Sequence, residues 1–311
     1  MSSVEVIINA AAGAGAQNGV ARAVEEAFAA CGVEARLTVA REGAELSEMA
    51  RRAVSNGARA VVAGGGDGTV GAVASALAGT DRPLGVLPLG TLNHFAKDLK
   101  IPLDTGEAAR AACEGRVVSV DVGEVNGQVF INNSSLGLYP RIIHRREKLR
   151  ERRGSGKWSA FFSAALSVLR RYPFMSVRLN ADGQEIARKT PFVLVGNNEY
   201  RMETLQIGAR ECLDAGCLSL YVARDTGRLG LLVFAVRALF GRLRQSKDFD
   251  SLRAQEIWVE TRRPKRLPVA TDGEVNVMTT PLHYRILPGA LRVIVQRGDG
   301  KKEGRGDGVT G

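Results

Sequence analysis

Residues 61–73 read VVAGGGDGTVGAV. A short β-branched run gives way to three glycines, Asp67, Gly68 and Thr69, and then to a helix-type run. Glycine loses more conformational freedom on ordering than any other residue, so three in succession between two regular elements mark a turn that something must approach closely. The stretch reads as strand, sharp turn and helix.

Outward from it, the first 120 residues alternate. VEVIIN precedes a helix-like VARAVEEAFAACG, EARLTVA precedes AELSEMARRAVSNG, ARAVVAG precedes TVGAVASALAG, and PLGVLPLG precedes AARAACEG. Strand and helix periods exchanging at this spacing indicate βαβ units and a mainly parallel, open α/β sheet. After Gly115 the pattern becomes RVVSVDVGEVNGQVFINNSSLG, two alternating runs joined by Asn126-Gly127, a dipeptide suited to a tight hairpin. Further strand-like runs follow in MSVRLNADGQEIA, with Asp182-Gly183 as a second hairpin, and in TPFVLVGNN, CLSLYVA, QEIWVET, KRLPVAT, LHYRIL and ALRVIVQ. Helical insertions are expected at 140–171 and 226–247.

The fold class expected is therefore α/β, with an N-terminal open parallel-sheet nucleotide-binding domain over 1–122. An all-β, sandwich-like domain with helical insertions follows over 123–297. The charged, glycine-rich end at 298–311 reads as a disordered tail. A chain of 311 residues, 45% hydrophobic, suits two ordinary domains.

Met1 to Gly19 lacks the layout of a secretory signal, so a cytoplasmic protein is expected. The longest apolar stretches, AFFSAALSVL and LGLLVFAVRALF, fall short of the ~20 residues a membrane span needs. Cys31, Cys113, Cys212 and Cys217 form no C-x-x-C pair and read as small buried hydrophobes. The net charge of +10 suits an anionic neighbour.

In an open parallel sheet, ligands bind beyond the carboxyl ends of the strands. Three loops leave such ends: INAAAGAGAQNG from residue 8, GGGDGT from residue 64 and PLGTLNHFAKDL from residue 88. In the second, the N–H groups of Gly64, Gly65, Gly66 and Gly68, with the amino end of the following helix, make a cradle for a polyphosphate, and Thr69 adds a hydroxyl. Asp67 would repel phosphate directly, which suggests a divalent cation between them or a proton-accepting task. The competing reading is a plain strand-to-helix turn with Asp67 as a cap. Gly90, Thr91 and Asn93 offer a further tight turn with side-chain hydrogen bonds for a nucleotide. Neither G-x-G-x-x-G nor G-x-x-x-x-G-K-[ST] occurs; RRGSGKWS has Trp158 where the second needs Ser or Thr.

GGGDGT, PLGTLNHFA some twenty residues later and TDGE at 271–274 together resemble the diacylglycerol kinase catalytic family, which includes bacterial lipid kinases and is similar to sphingosine kinases. The resemblance spans Val4 to about Gln296. It implies ATP and Mg²⁺ as cofactors, nucleotide contacts at Asn9, Thr38, the loop from Gly65 to Gly71, Thr91 and Asn93, and Glu274 as proton acceptor. Asp272 belongs to the same polar cluster, and with Asp67 and Glu274 it completes the expected catalytic set. LDAGCLSL at 213–220 aligns with a family segment that holds a structural Mg²⁺. There Asp214 remains as a metal ligand while Ala215 replaces a carboxylate, which argues against tight binding. His94 stands where the family has Asp, and reads as a hydrogen-bonded structural residue.

From Arg141 to Lys157 the chain carries eight Lys/Arg against two Glu, beside an apolar helical stretch. Such segments suit an anionic membrane surface, or simply a solvated face over the sandwich. Few aromatics interleave the basic run, which disfavours nucleic acid. The expected activity is transfer of the γ-phosphoryl group of ATP to a hydroxyl of a lipid such as diacylglycerol, by an enzyme peripheral to the membrane; a homodimer is compatible with it. The alternatives are an NAD-kinase-like phosphorylation of a soluble alcohol, to which GGDGT and VGNNEY at 195–200 are similar, and a nucleotide- or membrane-binding protein without turnover.

Overall fold

The computed structural model describes residues 3–10, 17–137, 174–200, 210, 212–223 and 249–297. The expected helical insertions at 140–171 and 226–247 and the tail at 298–311 lie outside these.

The first half alternates as its periodicity requires: β1 (Val4–Asn9), α1 (Gln17–Ala30), β2 (Ala35–Ala40), α2 (Gly43–Ser55), β3 (Ala60–Gly65), α3 (Asp67–Leu77), β4 (Leu84–Pro88), α4 (His94–Asp98) and α5 (Thr105–Glu114). The strands pair in parallel in the order β2-β1-β3-β4. All residues of β3 and β4 are buried, as strands covered on both faces must be. On α3, Val70, Val73, Ala74 and Leu77 repeat at helical spacing and enter the core under the sheet. The short helix α4 has too few residues to show a period, and nothing in the sequence marked it.

The second half supplies β5 (Arg116–Val125), β6 (Gln128–Phe130), β7 (Asn133–Gly137), β8 (Met175–Ala181), β9 (Gln184–Thr190), β10 (Phe192–Asn197), β11 (Leu218–Ala223), β12 (Phe249–Ala254), β13 (Glu256–Thr261), β14 (Arg266–Thr271), β15 (Glu274–Thr279) and β16 (Leu282–Val295). Asn126-Gly127 and Asp182-Gly183 form the expected hairpin turns, all four with positive φ. LHYRIL and ALRVIVQ, expected as two strands, are one strand, β16, whose register slips between Leu287 and Leu291 around Pro288-Gly289.

This long strand joins the halves. Its far end reaches β4 through Val293 beside Leu84 and packs into the first core, while its near end pairs with β13. The parallel sheet thus continues into a ten-stranded sheet. A second sheet, β12-β11-β10-β7-β14-β15, faces it across a core that includes Phe130, Leu136, Val195, Leu220, Val269 and Tyr284. The strict alternation of β8 and β13 buries one face of each, as in a sandwich layer. The chain changes sheets at Ile131–Asn132, between β6 and β7.

The cysteines are free thiols, but only in part what their residue type suggested: Cys31, Cys113 and Cys217 are half-buried and Cys212 is exposed. Burial pushes the Cys113 thiol up to about 12. Among the described residues no helix is long and apolar enough to cross a membrane.

Candidate active site

Strand β3 ends in Gly64 and Gly65, Gly66 caps α3 in an extended conformation, and the helix begins at Asp67. The first N–H groups of an α-helix have no intrahelical acceptor, and a Cβ placed on Gly68 would meet nothing within 4 Å. The amino end of α3 is therefore open on that side. The third loop comes right against it: a Cβ on Gly90 would overlap the Cα of Gly66, so neither loop could approach this closely with a side chain there.

Asp67 does not cap its own helix. Its Oδ1 accepts the N–H of Phe95 at 3.3 Å, which ties α3 to the start of α4. Its Oδ2 accepts no hydrogen bond from a described residue. Asn93, expected to contact a nucleotide, shapes the turn with its side chain. It sits buried with φ 50°, its Oδ1 accepts from Gly90 N–H at 3.1 Å, and its Nδ2 donates to the carbonyls of Gly90 and Pro88 at 2.8 and 3.2 Å. The carboxamide is thus spent on shaping the turn, which leaves exposed Thr91 and Leu92 on its outside. His94 opens α4 half-buried, and its ring makes no hydrogen bond to a described residue, contrary to the bonded role expected of it.

At the end of β1, Asn9 Nδ2 donates to Thr69 Oγ1 at 3.0 Å, joining the first loop to the second. Residues 11–16 of that first loop lie outside the described residues. Thr38, two residues before the end of β2, donates its hydroxyl to Glu5 at 2.6 Å. It is held by the neighbouring strand below the loops.

The TDGE segment is a two-residue hairpin turn: Thr271 ends β14, Asp272 and Gly273 take φ of 49° and 93°, and Glu274 begins β15. Asp272 grips the sheet crossing. Its Oδ2 accepts from Ile131 N–H at 2.7 Å, and its Oδ1 accepts from Asn132 and Asn133 N–H at 2.8 and 3.1 Å. Desolvation pushes this carboxyl up to about 6, against the downward pull of the three amides and of Arg210. The same carboxylate touches α3, because a Cβ on Gly71 would lie 3.2 Å from Asp272 Oδ2. Gly71 is one helical turn beyond Asp67 on the same face, roughly 5–6 Å along it. Glu274 directly opposes Thr271, is exposed at the hairpin mouth, and partial desolvation raises its carboxyl above the ordinary range. Beside it, Gln128 donates to Thr271 Oγ1 at 2.8 Å and accepts from Asn276 at 3.3 Å.

Arg210 is the residue that sequence reasoning missed. Its guanidinium is fully buried, with Nε 2.7 Å from Asp98 Oδ2 at the end of α4. It also donates to the carbonyls of Ile131 and Asn197 at 2.6 and 3.2 Å and to Asn132 Oδ1 at 2.9 Å. The Tyr200 ring lies 5.4 Å below it.

Asp214 stands exposed in a loop tied by main-chain bonds, Ala215 N–H to Asn198 and Gly216 N–H to Asp121. Among the described residues no three His, Cys, Asp or Glu side chains gather as a metal site would need, so nothing joins Asp214 there. The NNE of VGNNEY is also committed. Asn197 donates to the carbonyls of Asp121 and Ile131, and Glu199 pairs with Arg253.

The diacylglycerol kinase catalytic domain family matches residues 3–125, and the YegS C-terminal NAD kinase beta sandwich-like domain family matches residues 136–295. A protein of Pseudomonas fluorescens named probable lipid kinase YegS-like is 30% identical over 288 residues, covering 89% of this chain and 91% of its own. The chain belongs to the YegS-like lipid kinase family. A relative of the same name from Chromohalobacter salexigens is 32% identical over 264 residues, covering 83% and 82%. The crystal structure of a candidate diacylglycerol kinase from Bacillus anthracis superposes with a TM-score of 0.72 at 25% identity, over 95% of this chain and 97% of that one. The open-sheet half, the sandwich half and the family expected from GGGDGT, PLGTLNHFA and TDGE therefore agree with these likenesses.

Proposed function

We propose that this member of the lipid kinase family transfers the γ-phosphoryl group of ATP to a hydroxyl of a membrane lipid such as diacylglycerol. The observation that carries the reading is the seat of the TDGE hairpin on Gly71, one turn along α3 from Asp67. A glycine-lined phosphate cradle and two carboxylates from distant parts of the chain thereby share one junction.

The residues present fit a phosphate donor with a divalent cation. The amino end of α3 is open at Gly68, and Asp67 keeps one oxygen clear of described hydrogen-bond donors. Asp67 would hold Mg²⁺, with the N–H groups of residues 66–69 on the phosphates and Thr91 toward the nucleotide. When bound, the cation supplies charge neutralisation on the phosphates. Asn9 orients the Thr69 hydroxyl, Asp272 fixes the hairpin, and Glu274 accepts the proton of the lipid hydroxyl. That oxygen forms the new bond to phosphorus, the bond between the β- and γ-phosphates breaks, and ADP leaves. Partial desolvation raises the Glu274 carboxyl, which strengthens it as a base.

A lipid acceptor is favoured over a soluble one because the Asn-Glu side chains of VGNNEY are engaged within the fold. The turn between β13 and β14 also exposes Arg262, Arg263 and Lys265, and β14 opens with exposed Arg266, none in an ion pair with a described residue, and Val277 on edge strand β15 is 62% exposed. Cations beside an exposed aliphatic suit peripheral contact with an anionic bilayer from the cytoplasmic side. The basic insertions named from the sequence lie outside the described residues.

The test is incubation of the purified protein with γ-labelled ATP and Mg²⁺, with diacylglycerol in anionic vesicles, a total lipid extract, or NAD. Label in the lipid phase is expected, dependent on vesicles. Label on NAD alone, or ATP binding without transfer to any acceptor, would overturn the proposal.

A further inference from the structure

We infer that Arg210 is a positioning residue that locks the phosphate-loop half to the proton-acceptor hairpin, holding the two sides of the reaction at a fixed spacing. The inference rests on the kinase reading for its consequence and on geometry for its existence.

The contacts form a closed ring. Asp67, at the start of α3, takes the N–H of Phe95 at the start of α4. At the other end of α4, Asp98 holds Arg210 by two bonds, Nε to Oδ2 at 2.7 Å and the backbone N–H to Oδ1 at 3.2 Å. Arg210 reaches on to the Ile131 carbonyl and the Asn132 side chain. Asp272 takes the N–H groups of the same residues from the opposite side, and its carboxylate rests on Gly71 of α3. The segment at Ile131–Asn132, where the chain changes sheets, is therefore gripped by a cation on its carbonyl side and an anion on its amide side. Five separate stretches of chain close the ring, and Arg210 is the link between its two halves.

A guanidinium suits this place for a specific reason. Its planar fork carries five donors, enough for Asp98, two carbonyls and a carboxamide together. A lysine has the charge but presents one nitrogen, which can serve Asp98 or the Ile131–Asn132 segment and cannot span both. Removing one partner of a buried ion pair leaves the other charge uncompensated, so Arg210→Gln threatens the fold, whereas Arg210→Lys separates positioning from stability. Misplacement of reacting groups by about an ångström costs on the order of a hundredfold in rate.

The experiment compares wild type with Arg210→Lys, Arg210→Gln and Asp98→Asn by amide hydrogen exchange and by lipid phosphorylation. In folded Arg210→Lys, exchange at Phe95 and at Ile131–Asn133 is expected to speed up together while the β1–β2 ladder stays as protected as in wild type. The kcat is expected to fall by about tenfold to a hundredfold, with KM for ATP within about twofold of wild type. Asp98→Asn is expected to release Phe95 with less effect at Ile131–Asn133. Unchanged exchange at Phe95 together with unchanged kcat in the folded lysine variant would overturn the inference. So would loss spread evenly over the β1–β2 ladder, since that is a role in global stability alone. Should wild type phosphorylate no lipid, the kinase reading fails, and the exchange pattern still decides whether Arg210 couples the two halves.

Discussion

The GGGDGT turn and the TDGE hairpin bring carboxylates to the same junction in opposite states. Asp67 has one distant amide on one oxygen and nothing described on the other, at the open end of a helix. Asp272 accepts three amides within 3.1 Å and presses against Gly71. A carboxylate left half-engaged at an open helix end is available to a cation, while one saturated by backbone donors has become part of the scaffold. The lesson is a division within TDGE itself. Asp272 builds the hairpin's seat, and Glu274, exposed at its mouth, is the member proposed to react.

That division would be broken most visibly by the substitution expected to have the largest effect. Glu274→Gln keeps the size and the strand pairing but removes the proposed proton acceptor, and should lower kcat by about a thousandfold with ATP affinity unchanged. Asp67→Asn, on the other side of the junction, should weaken Mg²⁺-dependent ATP binding as well. Calorimetric titration of ATP with and without Mg²⁺, beside turnover of labelled lipid, tells the two apart. Equal loss of nucleotide binding in both variants would mean that the two carboxylates share one role.

Much of the comparison was legible in the sequence, and the remainder was not for physical reasons. The glycine run marked the turn at Gly64–Gly66, where a Cβ on Gly65 would collide with the Thr69 side chain, and the alternating periods revealed every element from β1 to α3. Strand β15 was read only as part of a turn, because EVNVMT is an edge strand with most of its residues exposed and no alternation of buried and exposed positions. Its pairing with β14 makes it a strand, and pairing has no local signal. The use Asn93 makes of its carboxamide on its own turn was not legible, because it follows from a left-handed backbone conformation that the motif does not announce. Arg210 was invisible, since its partners lie 112, 79, 78 and 13 residues away.

The Asp272 carboxyl sharpens the contrast through pH. Its folded-state value of about 6 lies above its unfolded one of about 4, so the folded protein holds this proton more tightly. Its contribution to stability is therefore fully present below pH ~4 and is lost as pH rises to ~6 and beyond. Activity should run the other way, because protonation weakens the grip on Ile131–Asn133 and kcat rises as the carboxylate forms. Arg210, the cation facing it, holds the value down, so Arg210→Gln should move the acid limb of the kcat profile to higher pH. An acid limb that stays in place in that variant would assign it to Glu274 instead.

The smallest expected effect tests the contact on which the junction depends. Gly71 lies mid-turn on α3, where a glycine ordinarily costs helix stability relative to alanine by about 1 kcal/mol. On propensity alone, Gly71→Ala should raise the melting temperature. Its new Cβ, however, would stand 3.2 Å from Asp272 Oδ2, closer than ordinary van der Waals contact, and the carboxylate cannot retreat without stretching its bonds to three amides. The strain should therefore fall on the seat of the hairpin and shift Glu274 relative to Asp67 by a few tenths of an ångström. A kcat several-fold lower, with KM for ATP and thermal stability close to wild type, is the result to look for, since geometric precision and not affinity is what the contact supplies. Gly68→Ala is the internal comparison. It adds the same methyl to the same helix where nothing stands within 4 Å, so it should spare the hairpin and, if the cradle binds phosphate, raise KM for ATP instead.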